Sequence, residues 1–312
     1  MRFHVVMFKT LEDLFNLKRT IIFLIVVLLA PIIFSIIAPR DVIFNFDTMT
    51  MATQIQMITM VYILMTFIWI AGIPLVLLIS VTCGDFISKE EQDGTLLLLT
   101  SKPIRREEIV IGKYLAFLIN IMILETIVIL LTPLLIYFLL PIDPLVLDTM
   151  ASLIPSLILY AFFVALTFGA LATAFSCFSI SRFKTIISLV AITVAIFFGF
   201  MIFRGYMETA GIYEPYGVWV DVNYHLGNSY MVFLDSTGYR MSPILQAILG
   251  SFTGTYDAVD PSKLYDADIG AMYTTLSRNE YISPIISLTV WLSLTFLILL
   301  FGVLKFQRRE IK

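Results

Sequence analysis

The residues that could do chemistry in this chain are few. Glu125 stands alone inside a long apolar run. Glu90 and Glu91 open an E-E-x-x-x pattern that an intramembrane protease would continue with arginine, but the next position is Thr95. The only histidines, His4 and His225, lie outside the apolar runs, so a metal or catalytic dyad lacks ligands within them. Met49, Met51, Met57, Met60 and Met65 would suit a soft metal. In apolar helices, however, methionine serves as adaptable filler, and that reading is preferred. Cys83 and Cys177 both fall near expected helix ends, which suggests neither a disulfide nor redox work. Gly112-Lys113 is followed by Tyr114, and Glu107 stands where a phosphate-binding loop needs its first glycine, so the chain carries no G-x-x-x-x-G-K-[ST] motif. No catalytic residue, no metal site and no cofactor of its own is therefore assigned.

The composition explains why chemistry is sparse. Of 312 residues, 59% are hydrophobic and 14% charged, and the mean hydropathy is +0.95. A soluble domain is nearer 45–50% apolar and about 25% charged. The excess is gathered into runs of about twenty residues or more, the length that crosses a bilayer as a helix. Barrel strands are shorter and alternate, so the expected class is an all-α polytopic membrane protein. The lipid bilayer is its solvent, and no nucleic-acid partner is expected.

In chain order, residues 1–19 place Phe3, Met7, Phe8, Leu11, Leu14 and Phe15 at helical spacing among charges. This reads as an interfacial amphipathic helix, the alternative being a soluble lead-in. Six spans follow within a single domain covering residues 1–312: 20–38, 56–82, 109–140, 152–179, 185–203 and 282–304. The first run exceeds a signal peptide's apolar core and lacks a small residue at the −3 position of a cleavage site, so it is expected to be retained. Gly72 and Pro74 are expected to kink the second span. In the fourth, Gly169, Ala170, Thr173, Ala174 and Ser176 mark a close-packing face.

The basic residues orient the spans. With the N-terminus inside, 15 of the 20 lysines and arginines fall in cytoplasmic segments. Both termini are therefore expected in the cytoplasm, in a multi-pass protein of the cell membrane. Residues 204–281 form a large external segment with nine acidic and four basic residues and 10 of the 14 tyrosines. It reads as a folded cap resting on the membrane surface, its tyrosines acting as interfacial anchors. The alternative is an acidic, aromatic gate or partner surface. Glu125, costly as a charge in lipid, is either a substrate-contact or proton-linked site, or a neutral carboxyl hydrogen-bonded between helices.

One cytoplasmic segment, residues 83–108, concentrates charge around four consecutive leucines, Leu96 to Leu99. Residues 85–93 are expected to extend the second helix until Gly94 breaks it. Thr95 is expected to cap a short helix, with Pro103 stopping it. Glu107 and Glu108 suit the positive end of the next helix. An apolar cluster with a charged rim is a docking pattern; a re-entrant turn with no partner is the alternative.

The run EEQDGTLLLLTSKPIRREEIVIGK resembles the signature of ABC-2-type permeases, the membrane subunits of ATP-driven exporters. The resemblance is greatest to the group that includes the permeases of nitrous-oxide-reductase maturation systems. Glu90, Gly94, Thr95, Leu96, Leu98, Leu99, Pro103, Arg106, Glu108, Gly112 and Lys113 match the pattern. Gln92 departs from it, standing where a second glutamate is common, with Glu91 and Asp93 beside it. The resemblance implies a coupling helix that docks a separate ABC ATPase subunit, present in two copies and carrying the ATP and magnesium. It further implies a second permease protomer, in a homo- or heterodimer, and export as the function. The docking set so implied is Glu90, Glu91, Gly94, Thr95, Leu96, Leu98, Leu99, Pro103, Arg105, Arg106 and Glu108. A non-transporting transducer that acts on an extracytoplasmic partner through residues 204–281 is the rival reading.

Overall fold

The computed structural model describes residues 3–40, 46, 49–96, 104–179, 181–256, 265–266, 271–272 and 276–309. It is an all-α polytopic membrane protein in which, among the described residues, six helical segments are long and apolar enough to cross a bilayer. Helix α1 (Phe3–Leu14) precedes span 1, α2 (Leu17–Ile37). Span 2 comprises α3 (Met51–Met65), a π turn at Thr66–Ile70, α4 (Ile73–Gly84) and the short α5 (Ser88–Gln92). Spans 3 and 4 are α6 (Arg106–Leu139) and α7 (Pro144–Phe178). Span 5 is α8 (Arg182–Val194), a π turn at Ala195–Gly199 and α9 (Phe200–Thr209). Helices α10 (Val222–Asp235) and α11 (Pro243–Thr253) follow, then span 6, α12 (Pro284–Gln307). Two paired two-residue strands, Tyr265–Asp266 and Ala271–Met272, are a minor addition to this helical fold.

Side chains start several of these helices by accepting orphan backbone N–H groups. Asn16 Oδ1 takes the amides of Lys18 and Arg19 at 3.1 and 3.4 Å. Asp143 takes that of Leu145 at 2.9 Å, with Pro144 as the first helical residue. The kink expected in span 2 is a break at Ala71 and Gly72. The Ala71 amide donates to Thr66 O across five residues, and a Cβ at Gly72 would lie 2.2 Å from Ile68 O. Glycine is required there by close approach.

Span 4 is the central column: 72% of its apolar window is buried, against 17–22% for spans 1, 5 and 6. The latter therefore present most of their surface to lipid or another chain. The small-residue face of span 4 lets its neighbours approach closely. Gly169 lies under the rings of Tyr114 and Phe117 of span 3, and Gly302 of span 6 sits against Ala174. Tyrosine hydroxyls add further ties, Tyr114 of span 3 to Leu166 O of span 4 at 2.7 Å and Tyr62 of span 2 to Ile129 O of span 3 at 2.9 Å.

Part of the segment 204–281 packs into the bundle. Tyr230 of α10 donates to Ile63 O of span 2 at 2.8 Å, and its ring lies 4.5 Å from Tyr160 and 5.0 Å from Phe67. Tyr213, Tyr224, Tyr230 and Tyr256 are buried rather than serving as anchors. Arg204, near the end of span 5, donates to the fully buried Asp221 through Nε at 2.8 Å. Asp221 also accepts from Tyr213 Oη at 2.9 Å and from the Tyr224 amide at 3.2 Å. Burial and this carboxylate push the Tyr213 phenol up, so it remains a donor. His225 Nδ1 meets Ser287 Oγ of span 6 at 3.1 Å, and Asn228 Nδ2 donates to the same oxygen at 3.3 Å.

Two outcomes follow from this packing. Gly302→Leu should destabilise the protein by about 1–3 kcal/mol through overpacking against Ala174. Gly205→Ala, inside α9 with no heavy atom within 4 Å of the added carbon, should instead stabilise by about 0.5–1 kcal/mol, because alanine is the better helix former; thermal unfolding in detergent compares them. Burial holds the His225 imidazole below its ordinary value, with the hydrogen bond to Trp219 O and the nearby Asp221 carboxylate working against this. Its neutral-state contacts are therefore fully present above about pH 6.5 and are lost as pH falls through the folded-state value, with a slope of at most about 1.4 kcal/mol per pH unit. Unfolding midpoints at pH 7.5 and 5.5, with His225→Asn flattening part of the difference, test this.

Candidate functional site

The charged linker between spans 2 and 3 is built by short-range rules and then keyed into the ends of four other spans. Span 2 runs on into the linker as far as Gln92, with a turn through Asp85, Phe86 and Ile87 between α4 and α5. The amides of Ile87 and Ser88 donate to Ser176 Oγ near the end of span 4 at 2.9 and 3.1 Å. Gly94 takes φ of +71°, the left-handed conformation that glycine adopts without steric cost. The Thr95 hydroxyl donates back to Glu90 O at 3.2 Å.

Beneath this turn lies a buried lysine. Lys113 of span 3 donates to Phe86 O at 2.8 Å and forms an ion pair with Glu90. The same ammonium group therefore holds the linker's backbone and its carboxylate. Glu91 pairs with Arg309, just beyond span 6, at 2.6 Å. Arg309 Nη1 also donates to Cys177 O at 2.9 Å and to Ser179 O at 3.2 Å, meeting carbonyls left free at the end of span 4. Arg106, at the start of span 3, does the same for span 6, donating to Phe306 O and Gln307 O at 3.2 Å and to Arg309 O. Gln307 reaches Glu107, and Asp85 pairs with Arg182 of span 5 at 2.7 Å.

The sequence-derived docking residues thus separate into two groups. Glu90, Glu91 and Arg106 point into the chain's own framework, and Leu96 is buried at 1% exposure. Gly94, Thr95 and Arg105 are exposed, together with Gln92 and Asp93. Glu108 accepts from the Arg105 amide at 3.3 Å, which organises the start of span 3. Leu98, Leu99 and Pro103 lie outside the described residues. A cavity of about 640 Å³ opens between α1 and the linker, with Lys9, Asp13, Lys89 and Asp93 among its lining. The arrangement offers a charged, partly exposed face mounted on a rigid base.

Sequence reasoning missed Ser176, Arg182 and Arg309 as members of this site. Arg182 and Arg309 were read only as orientation signals, and Ser176 only as a small residue. A visible signal was that Arg309 is an arginine directly after the last apolar run, where unpaired carbonyls must end. Glu125 is not part of the site. It is fully buried in span 3, and neither carboxyl oxygen has a hydrogen-bond partner among the described residues. The bonded neutral carboxyl considered from sequence is thus not what the described residues form.

Removing one member of the Lys113–Glu90 pair should be far worse than removing both. Lys113→Met should cost about 3–5 kcal/mol, because Glu90 is left partly buried without its partner. The double variant Glu90→Leu, Lys113→Met should recover most of that loss. Unfolding midpoints of the four proteins of this cycle measure the coupling.

Comparison with known proteins places the chain. No curated protein matches it. The family model described as ABC-2 family transporter protein matches residues 6–311. That match takes in every span and the whole linker, and on this ground the chain belongs to the ABC-2 transporter family as a membrane component of an ABC transporter.

Proposed function

We propose that this chain is the permease subunit of an ATP-driven exporter and that the linker receives the stroke of a separate ATPase. The observation that carries this reading is the linker itself, seated by Lys113, Arg106, Arg309 and Arg182 against spans 3, 4, 5 and 6. A push on its exposed face cannot be absorbed locally, since every anchored group is tied to a helix end. It therefore displaces the cytoplasmic ends of several spans together, the rigid-body response expected of packed helices. In this reading the chain contributes no catalysis, and ATP and magnesium sit on the partner ATPase. Two ATPase copies would meet two permease protomers. The excess of basic residues near the linker and both termini supports a cytoplasmic placement for them in the cell membrane.

A second reading has its own support. The outer region is fastened to spans 2, 5 and 6 through Tyr230, Arg204 and His225. Movement of the spans would be passed to it, as a transducer acting on an extracytoplasmic partner requires. ATP-dependent flux in vesicles that survives disruption of this region would exclude that reading.

The test is co-expression with a cognate ABC ATPase. The ATPase should co-purify with the intact chain. Reversing the exposed charges Asp93→Lys and Arg105→Glu should weaken that association by about tenfold, through rim electrostatics. Glu91→Gln, inside the framework, should leave association intact and blunt the response of ATP hydrolysis to the permease. A chain that purifies alone, or charge reversals that bind like wild type, would overturn the proposal.

A further inference from the structure

The structure carries a second candidate site, on the flank of the bundle between span 1 and the inner half of span 2. Trp69 Nε1 donates to Val27 O at 3.2 Å and pins the two spans together at mid-depth. Directly after this point come the end of the π turn and the break at Gly72, so α4 departs on a new course. A groove of about 570 Å³ remains between α2 and α4. Ile22, Phe23 and Val26 form one wall, and Ile73, Leu77 and Leu78 the other. Among them, Ile22 and Val26 are 52% and 43% exposed.

The groove has a direction. At one end lies Trp69, bonded to Val27 O, and at the other, taken as its mouth, lie Asn16, Lys18 and Arg19. Arg19 and Val27 are eight residues apart on one helix, about 12 Å along its axis at 1.5 Å per residue. One leaflet of the hydrocarbon core is about 15 Å deep, so the groove runs nearly the depth of a leaflet and ends in two cations. Lys18 and Arg19 are exposed. Neither has an ion-pair partner among the described residues. Asp13 and Asp85 line the adjoining cavity with Arg19, but Asp85 is already engaged by Arg182.

We propose that this groove binds one anionic glycerophospholipid, with an acyl chain along Ile22, Val26, Ile73 and Leu77 and its phosphate at Lys18 and Arg19. An apolar slot of leaflet depth accepts any acyl chain. The two unpaired cations at its mouth are what select a net negative headgroup over a zwitterionic one. Tryptophan at the far end gives the chain terminus a flat stop, while its N–H remains bound within the protein. The site is separate from the linker and stands whether or not the chain exports anything.

The experiment is native mass spectrometry of the full-length protein in nonionic detergent. The added lipid is phosphatidylglycerol or phosphatidylcholine with the same acyl chains. Phosphatidylglycerol should be retained preferentially, with the preference falling about fivefold for each basic residue removed in K18Q and R19Q. Val26→Trp, which fills the slot, should abolish retention of both lipids while circular dichroism stays unchanged. Equal retention of the two lipids by wild type would overturn the proposal, as would a preference that survives the K18Q/R19Q double variant. A third overturning result is a Val26→Cys protein that cross-links to a second copy and retains no lipid, because the groove is then an interface between chains.

Discussion

An α-helix that stops leaves its last carbonyl groups without donors, and at the linker side of this protein two arginines supply them. Arg106 serves the end of span 6 and Arg309 the end of span 4. Each comes from a different span than the one it caps, so satisfying the backbone also stitches spans 3, 4 and 6 together. The pairing of Arg309 with Glu91 then adds the linker to the same knot. An uncapped helix end and a loose linker are not separate defects here; one charged group prevents both.

The two faces of the bundle solve the same problem differently. On the linker side, long cations reach over helix ends, and several pairs stay partly open to solvent. On the other side, Arg204 and Asp221 are buried together with Tyr213, and a cluster of rings at Phe67, Tyr160 and Tyr230 fills the space between helices. Gly254, at φ of +73°, lies so close to Arg204 that a side chain there would strike the guanidinium group. The first arrangement leaves charges available to a partner. The second buries one ion pair, Arg204 with Asp221, while Glu208, Glu214, Asp235, Arg240 and Glu280 stay exposed.

The spans were legible because lipid tolerates only long, self-satisfied helices, and such runs cannot be mistaken for anything else. The charged linker was legible for the converse reason, since charges that are expensive in lipid gather where lipid ends. What stayed hidden depends on contacts remote in sequence. Glu91 and Arg309 are separated by most of the chain, and neither neighbourhood announces the other. Tyr230 looked like an interfacial anchor because tyrosine at a membrane edge so often is; its hydroxyl instead finds Ile63 O, close to the π turn of span 2. Leu96 was read as a docking residue from its place in a leucine run, and burial gives it to the framework.

The π turns at Thr66–Ile70 and Ala195–Gly199 each close a ring one residue wider than an α turn. A single extra residue in a helix rotates everything downstream by about 100°. Spans 2 and 5 therefore each consist of two halves out of phase with each other, and a face that looks continuous in the sequence is split between two sides of the molecule. Helical-wheel reasoning across either turn assigns the wrong neighbours. Loss of one residue at either turn would re-aim the whole second half of its span. The angular setting of α4, and with it the face it shows to span 1, is thus written in a residue count rather than in any one side chain.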